Sequence, residues 1–495
     1  MKRISERFLC LLTAAVLTGG LLCGCGGESG SEENPEVINL RVCSWEEYID
    51  TGDWDEDEGI ELDNGVFIMG ENSVVEDFEE WYYETTGQRV KVEYSCFGTN
   101  EDLYNQLNIG DTFDLVCPSD YMIMKLMAED KLTAYSESFF DAENPNNYYA
   151  AGVSPYIRQT FQENEIQGES WSKYAACYMW GVTGTVYNPE TVSREDASTI
   201  QIYNNPDYSR QITLKDNVRD TYFVILTMLH SEKLKDEAFR ASEGYREELT
   251  AMMNDVDGAT IDRAEKLLHE VVGNLYSLET DSGKADMISG KVHLSYQWSG
   301  DAVYAMDQAD EDDFTLKFAV PEECTNLWFD GWVLLKDGIR GDTKKQAAAE
   351  AFVNFLSRPD IAVRNMNYIG YTSAISGGED DTVYEFLKWR YEDEEGTESY
   401  PLGYFFSGDS EDERYILTCS KEQLERQLFA QYPSEDVMDR AAIMGYYGEE
   451  DNKNINRMWI NVRCFQLSSV PTAVWIVLAA GILGGGILLA YRLKR

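Results

Sequence analysis

Leu40-Arg-Val-Cys-Ser-Trp-Glu-Glu-Tyr48 is the stretch from which the rest of the chain can be placed. Leu40, Val42 and Cys43 give the apolar run of a short buried strand, and Trp45, Glu46, Glu47 and Tyr48 follow it directly. Two aromatic rings are thus interleaved with two carboxylates where a strand ends. In an open α/β sheet, ligands bind outside the carboxyl ends of the strands. Rings and carboxylates together suit an organic cation: the ring quadrupole attracts it and the carboxylate neutralises it. On this segment alone, ordinary packing of Trp and Tyr with two solvated glutamates fits as well.

The neighbouring residues extend the pattern. Residues 74–86 have helical spacing, with Val75, Phe78, Trp81 and Tyr82 on one face and Gly87 as the stop. Residues 89–94 alternate as a strand, 101–107 begin a helix, and Phe113-Asp-Leu-Val-Cys117 is a buried strand broken by Pro118. A helix rich in Met and Leu follows from Tyr121. This β-α-β-α-β order predicts a parallel sheet with right-handed crossovers. Between the first strand and the first helix, residues 51–73 are strongly acidic. Asp53, Asp55, Asp57 and Glu61 lack the spacing and terminal glutamate of an EF-hand loop, which favours a solvated surface insertion. Further strands are expected at 175–183, 211–214, 293–297, 314–321 and 328–335, and helices at 221–230, 261–272 and 344–357.

The chain has 495 residues, room for two or three domains. Lys and Arg number 41 against 89 Asp and Glu, a formal net charge of -48 that repels nucleic acid and draws cations. Hydrophobic content of 43% and aromatic content of 13% argue for a folded globule rather than an acidic tail. Three histidines, with no Cys-x-x-Cys pair, leave little for a zinc site or a His-based triad, so no metal or cofactor is expected. Cys43, Cys96 and Cys117 end strands, where buried thiols are expected.

The two ends point outside the cytoplasm. Lys2, Arg3 and Arg7 precede the apolar run 8–22, the layout of a signal peptide. Leu22-Cys-Gly-Cys25 looks like a bacterial lipobox, with Cys25 the residue to be lipidated and a polar tether over 26–37. Residues 470–491 are almost wholly apolar and about the ~20 residues needed to span a bilayer. Arg492, Lys494 and Arg495 then place the C-terminus in the cytoplasm.

Four later strand ends repeat the opening theme: Ser119-Asp-Tyr121, Asp216-Asn-Val-Arg-Asp220, Trp298-Ser-Gly-Asp301 and Trp328-Phe-Asp-Gly-Trp332. Cys43-Ser-Trp-Glu-Glu-Tyr48, Thr99-Asn-Glu-Asp-Leu-Tyr104, Phe113-Asp-Leu-Val-Cys-Pro-Ser-Asp-Tyr121, Tyr178-Met-Trp-Gly181, Trp298-Ser-Gly-Asp301, Arg358-Pro-Asp360 and Ile369-Gly-Tyr371 run in an order and spacing that resembles the spermidine/putrescine-binding proteins of ABC importers, over most of 38–464. The resemblance implies an α/β, two-lobed periplasmic-binding-protein fold with a hinge. One lobe would hold 38–142 and 299–342, the other 143–298 and 343–464. It implies a polyamine whose methylene chain lies between rings and whose ammonium groups meet carboxylates, delivered to permease subunits by a monomeric receptor that is not an enzyme. Trp45 and Tyr48 match the family's first aromatic pair, Ser119 and Tyr121 the next cluster, Trp298 a wall tryptophan and Asp301 a carboxylate beside it. Asp330 falls in the strand-end motif, and Asp220 matches an acidic position in the middle segment.

One departure bears on ligand length. Asn217 stands where the family has an aspartate, and Glu46 or Asp120 are the candidates to compensate. Two other readings stay open: the same fold with another cationic amine or a metal ion as ligand, and an extracellular hydrolase using Asp301 and Asp330 as acid and base.

Overall fold

The opening strand runs Ile38–Trp45 and lies between two parallel neighbours. It pairs in register with Val90–Phe97, from Ile38 against Val90 to Trp45 against Phe97, and on its other side with Leu115–Val116. The computed structural model describes residues 37–280 and 282–468. Cys25, the leader, the tether and the apolar stretch 470–491 lie outside the described residues, among which no helix is long and apolar enough to cross a membrane.

Local chemistry sets the helix that joins the first two strands, Val74–Thr86. The Ser73 hydroxyl accepts from the Glu76 amide, and the Glu76 carboxylate accepts from the Ser73 amide, closing a capping box. At the other end Gly87 takes φ 71° and stops the helix, a conformation that costs glycine little. Val74, Phe78 and Tyr82 are buried against the sheet, with Val75 and Trp81 partly so.

Two long antiparallel strands, Ala175–Tyr187 and Thr325–Leu335, run through the centre, and every residue of both is buried. At one end, Val333 and Leu334 pair antiparallel with Leu115–Val116 and so join the sheet of the opening strand. At the other, Thr183 to Tyr187 pair with Leu294–Trp298, which carries the parallel strands Ile212–Lys215 and Ser277–Glu279 beyond it. Two parallel α/β units therefore share one pair of crossing strands. Their apolar cores are separate: one gathers Leu40, Phe78, Leu115, Trp332 and Phe352, the other Leu214, Tyr222, Leu268 and Trp459.

Residues 149–186, expected in the second lobe, pack in the first core, and so does much of 343–441. The helix Thr343–Leu356 packs on the opening strand and on Val74–Thr86 through Phe352 and Phe355, beside the first unit and not with the second. The chain from there to Ala441 contributes to the first core, and the second is completed by residues 442–462. Cys96 is exposed, because Val90–Phe97 is an edge strand; Cys43 and Cys117 are buried.

The acidic insertion is not simply solvated. Ile60–Glu61 and Phe67–Ile68 pair as a hairpin, and Ile60, Leu62 and Ile68 are buried in the first core. Arg364 anchors its base from the helix Pro359–Ile369. Its guanidinium, 1% exposed, meets Asp50 at 3.0 Å, Asp77 at 2.7 Å and the Asn72 carbonyl. Trp54 donates to the same Asp50 carboxylate at 2.7 Å. Removing the cation leaves Asp50 buried and unpaired, a loss of about 3–5 kcal/mol for a buried ion pair broken on one side. Arg364→Met should lower the urea midpoint correspondingly and expose 51–73 to protease; an unchanged midpoint would refute the anchor.

Candidate functional site

A break in the central pairing creates the first part of the site. The register between the crossing strands shifts between Asp330 and Gly331, a bulge of the kind that re-aims a side chain. Gly331 donates to the Pro118 carbonyl at 3.1 Å and Asp330 bridges Ser119, which ties the bulge to the end of Leu115–Val116. The Tyr48 hydroxyl, carried by the turn after the opening strand, donates to Asp330 Oδ2 at 2.6 Å. Asp330 Oδ1 is buried with no hydrogen-bond partner among the described residues. Burial pushes the Asp330 carboxyl up to about 6, against the hydrogen bonds from Tyr48 and Ser119 that favour its ionised form. The Tyr48 phenol is raised well above its ordinary value by burial and by Asp330, so it keeps the proton it donates.

Aromatic rings wall this carboxylate. Tyr48 meets the edges of Tyr178 and Tyr371 at 5.5 Å each, and Tyr371 lies 5.4 Å from Trp328. The strand register explains the convergence. Trp328 pairs with Gly181, Trp298 with Thr183 two residues on, and Thr372, next to Tyr371, with Trp180. Two of the contacts demand glycine. A Cβ on Gly181 would stand 2.7 Å from the Trp328 ring, and one on Gly300 1.5 Å from the ring of Tyr371.

The second part of the site gathers where the strand Leu294–Trp298 ends, beside the strand Ile212–Lys215 of the second unit. Asp301 lies in the first turn of the helix Ser299–Glu311 and accepts from Tyr371 Oη at 3.2 Å. It also accepts from Lys215 Nζ at 3.3 Å and Lys284 Nζ at 3.2 Å. Burial alone would raise its carboxyl, but the two ammonium groups outweigh it and hold Asp301 below the usual range. Lys215 ends the strand Ile212–Lys215 and sits 4.1 Å over the ring of Trp298. Trp298 Nε1 donates to Asp220 at 3.3 Å, and burial pushes the Asp220 carboxyl up to about 6 despite Lys215, Trp298 and Arg219.

The remaining expected residues are placed as follows. Asn217 caps the helix Val218–Leu234, its Oδ1 accepting from the amides of Arg219 and Asp220, so its oxygen is committed to backbone. Asp120 is likewise committed, to the amides of Tyr121 at 2.6 Å and Phe329 at 3.2 Å, and burial pushes its carboxyl up to about 8. Ser119 and Tyr121 share Asn100, whose amide donates to both hydroxyls. The Tyr121 ring carries the Arg219 guanidinium at 4.5 Å. Trp45 lies against Phe97 with ring centroids 4.6 Å apart, and Glu46 is exposed in the turn, apart from the buried carboxylates. Neither Glu46 nor Asp120 is thus placed to make good the charge absent at Asn217.

The sequence does not single out Lys215, and it offers Trp328, Tyr371 and Tyr178 only as members of longer motifs. Tyr371 carries a usable signal, since Gly370 is a left-handed helix cap that turns the chain at φ 77° directly before it.

Half or more of the chain, residues 73–385, matches the bacterial extracellular solute-binding protein family, and the chain belongs to that family of binding proteins. It is 24% identical over 295 residues to the spermidine/putrescine-binding periplasmic protein of Salmonella typhimurium, covering 59% of this chain and 72% of the relative. It is 24% identical over 371 residues to the putrescine-binding periplasmic protein SpuD of Pseudomonas aeruginosa, covering 73% and 82%. Among solved structures, the substrate-binding protein PotD of Streptococcus pneumoniae aligns with a TM-score of 0.54 at 21% identity, over 86% of this chain and 99% of that one. The Treponema pallidum lipoprotein TpPotD aligns at 0.56 and 16%, over the same shares. These establish the two-lobed periplasmic-binding-protein fold.

Asp330, Asp220 and Asp120 hold protons more tightly in the folded chain than an unfolded aspartate does. Their contribution to stability is therefore fullest below the ordinary aspartate range, and is lost as pH rises through about 6 for Asp330 and Asp220 and about 8 for Asp120. The melting temperature should fall as pH rises from about 5 to about 8, and Asp330→Asn should flatten that slope near pH 6. An unaltered slope in the variant would take Asp330 out of the account.

Proposed function

We propose that this protein is the extracytoplasmic receptor of an ABC importer, binding a polyamine, putrescine or spermidine, between its lobes and handing it to the permease. The observation that carries the ligand assignment is Asp330: a buried carboxylate with one oxygen held by Tyr48 and the other unpartnered, walled by Tyr48, Tyr371 and Trp328. A buried carboxylate left in this state is costly, and an ammonium group supplies the missing charge and hydrogen bonds together. The methylene chain lies along the rings, and Asp220 in the other unit takes a second amine. The names of the relatives in Salmonella and Pseudomonas agree with this chemistry.

The magnitudes suffice. A micromolar site needs about -8 kcal/mol. Cation–ring contacts give ~0.5–2 kcal/mol each, and hydrogen bonds to charged groups ~1.5–3 kcal/mol. Three or four such contacts cover the requirement once ordering costs are subtracted. The hydrolase alternative finds no support in Asp301, which two lysines hold ionised and which has no proton to donate as a general acid.

Lipid on Cys25 and the apolar stretch 470–491 would attach the receptor to the outer face of the cytoplasmic membrane, with the C-terminus inside. Such attachment keeps the lobes near the permease and raises their effective concentration there.

Titration calorimetry of the detergent-purified protein with putrescine, spermidine and spermine tests the ligand. Saturable heat with at least one of them is expected, and Asp330→Asn should weaken it about 10- to 100-fold by removing a hydrogen-bonded charge. Absence of heat with all three refutes the polyamine assignment. Binding should also weaken as pH falls through about 6, where Asp330 and Asp220 take up protons. Deleting 470–495 should lower polyamine uptake by cells while leaving the binding constant unchanged; undiminished uptake would rule out the anchoring role.

A further inference from the structure

Lys215 occupies the second unit's half of the site as a ligand amine would. Its side chain is 1% exposed. Its ammonium donates to Gln297 Oε1 at 2.5 Å, to the Thr280 carbonyl at 3.0 Å and to Asp301 Oδ2 at 3.3 Å, with Glu279 at 3.8 Å. The face of Trp298 covers it at 4.1 Å. Two carboxylates, a carbonyl, an amide and an indole form the cage that recognises a free ammonium group, and all three Lys215 protons have acceptors in it. The cage is built for this cation. Gly283 donates to the other Glu279 oxygen at 2.8 Å, Gln297 Nε2 donates to Glu279 at 3.1 Å, and Lys284 meets the far side of Asp301.

Counting the charges that remain decides what ligand fits. Asp301 and Glu279 are taken by Lys215. Asn217 is neutral and its oxygen caps a helix. Asp120 gives its oxygens to the amides of Tyr121 and Phe329, which leaves Asp330 in one unit and Asp220 in the other as the buried carboxylates of the cluster with neither that commitment nor a bridging lysine or arginine among the described residues. Two carboxylates match two ammonium groups. A third amine extending along Trp298 would approach Lys215, which lies 4.1 Å over that ring, and like charges repel strongly in a buried setting.

Resting on the polyamine reading above, we infer that Lys215 is a built-in ammonium that fills one amine position of the site and makes the protein selective for diamines over triamines. The specificity-determining residue is a cation supplied by the receptor itself.

Calorimetric titration of the detergent-purified full chain with putrescine and with spermidine tests this directly. The wild type should bind the diamine about tenfold or more tightly than the triamine, and Lys215→Met should shift that ratio toward the triamine by about tenfold or more. A purely structural role would change both affinities together and leave their ratio in place. Should K215M not fold, K215M/D301N removes the buried ion pair as a unit and carries the same expectation. Equal or tighter triamine binding by the wild type overturns the inference, as does an unchanged ratio in the folded variant. Binding of neither amine by the wild type overturns the polyamine reading itself, and the inference with it.

Discussion

The pairing of Ala175–Tyr187 with Thr325–Leu335 is the constraint from which the site follows. Trp328 and Asp330 ride on one strand; Trp298 and Thr372 are placed by their partners on the other. A slip of one residue would turn each of these side chains to the opposite face. Both strands are buried along their whole length, so the register is fixed by apolar side chains above and below as well as by the ladder. The single irregularity, at Asp330 and Gly331, is where the carboxylate is delivered.

Charge in this setting obeys the cost of desolvation. The surface is strongly acidic and well solvated, but the carboxylates that define the cluster are nearly inaccessible, and their protons are held accordingly. Two solutions coexist within it. Around Asp301 the chain supplies its own counter-ions from Lys215 and Lys284. Around Asp330 it supplies only a phenol and a hydroxyl, which hold the carboxylate in place without neutralising it. The asymmetry between the two carboxylates is electrostatic before it is geometric.

Much of this was legible in the chain itself. Short apolar runs ending in aromatic and acidic residues marked the strand exits, and the topological rule for open sheets gathered them. Gly87 marked the end of a helix by local chemistry that needs no tertiary context. What stayed hidden was long-range. Lys215 ends a four-residue strand and looks like a solvated terminus until Glu279, Gln297 and Asp301, far along the chain, close around it. Arg364 sits in an amphipathic helix whose polar positions look exposed, and its partners Asp50 and Asp77 lie 314 and 287 residues earlier. The apolar face of Thr343–Leu356 says that it covers a sheet, not which of two sheets it covers.

The contact between Gly300 and Tyr371 has a mechanical meaning. The ring lies against the glycine so closely that a single methyl group has no room, while the phenol oxygen is tied to Asp301, the next residue in the helix. Held on its face and at its tip, Tyr371 behaves as a strut fixed to the start of Ser299–Glu311. Its other edge meets Tyr48, in the turn after the opening strand. A displacement of that helix would therefore be transmitted through one ring to the phenol that positions Asp330, so the carboxylate at one end of the site is geared to the framework at the other.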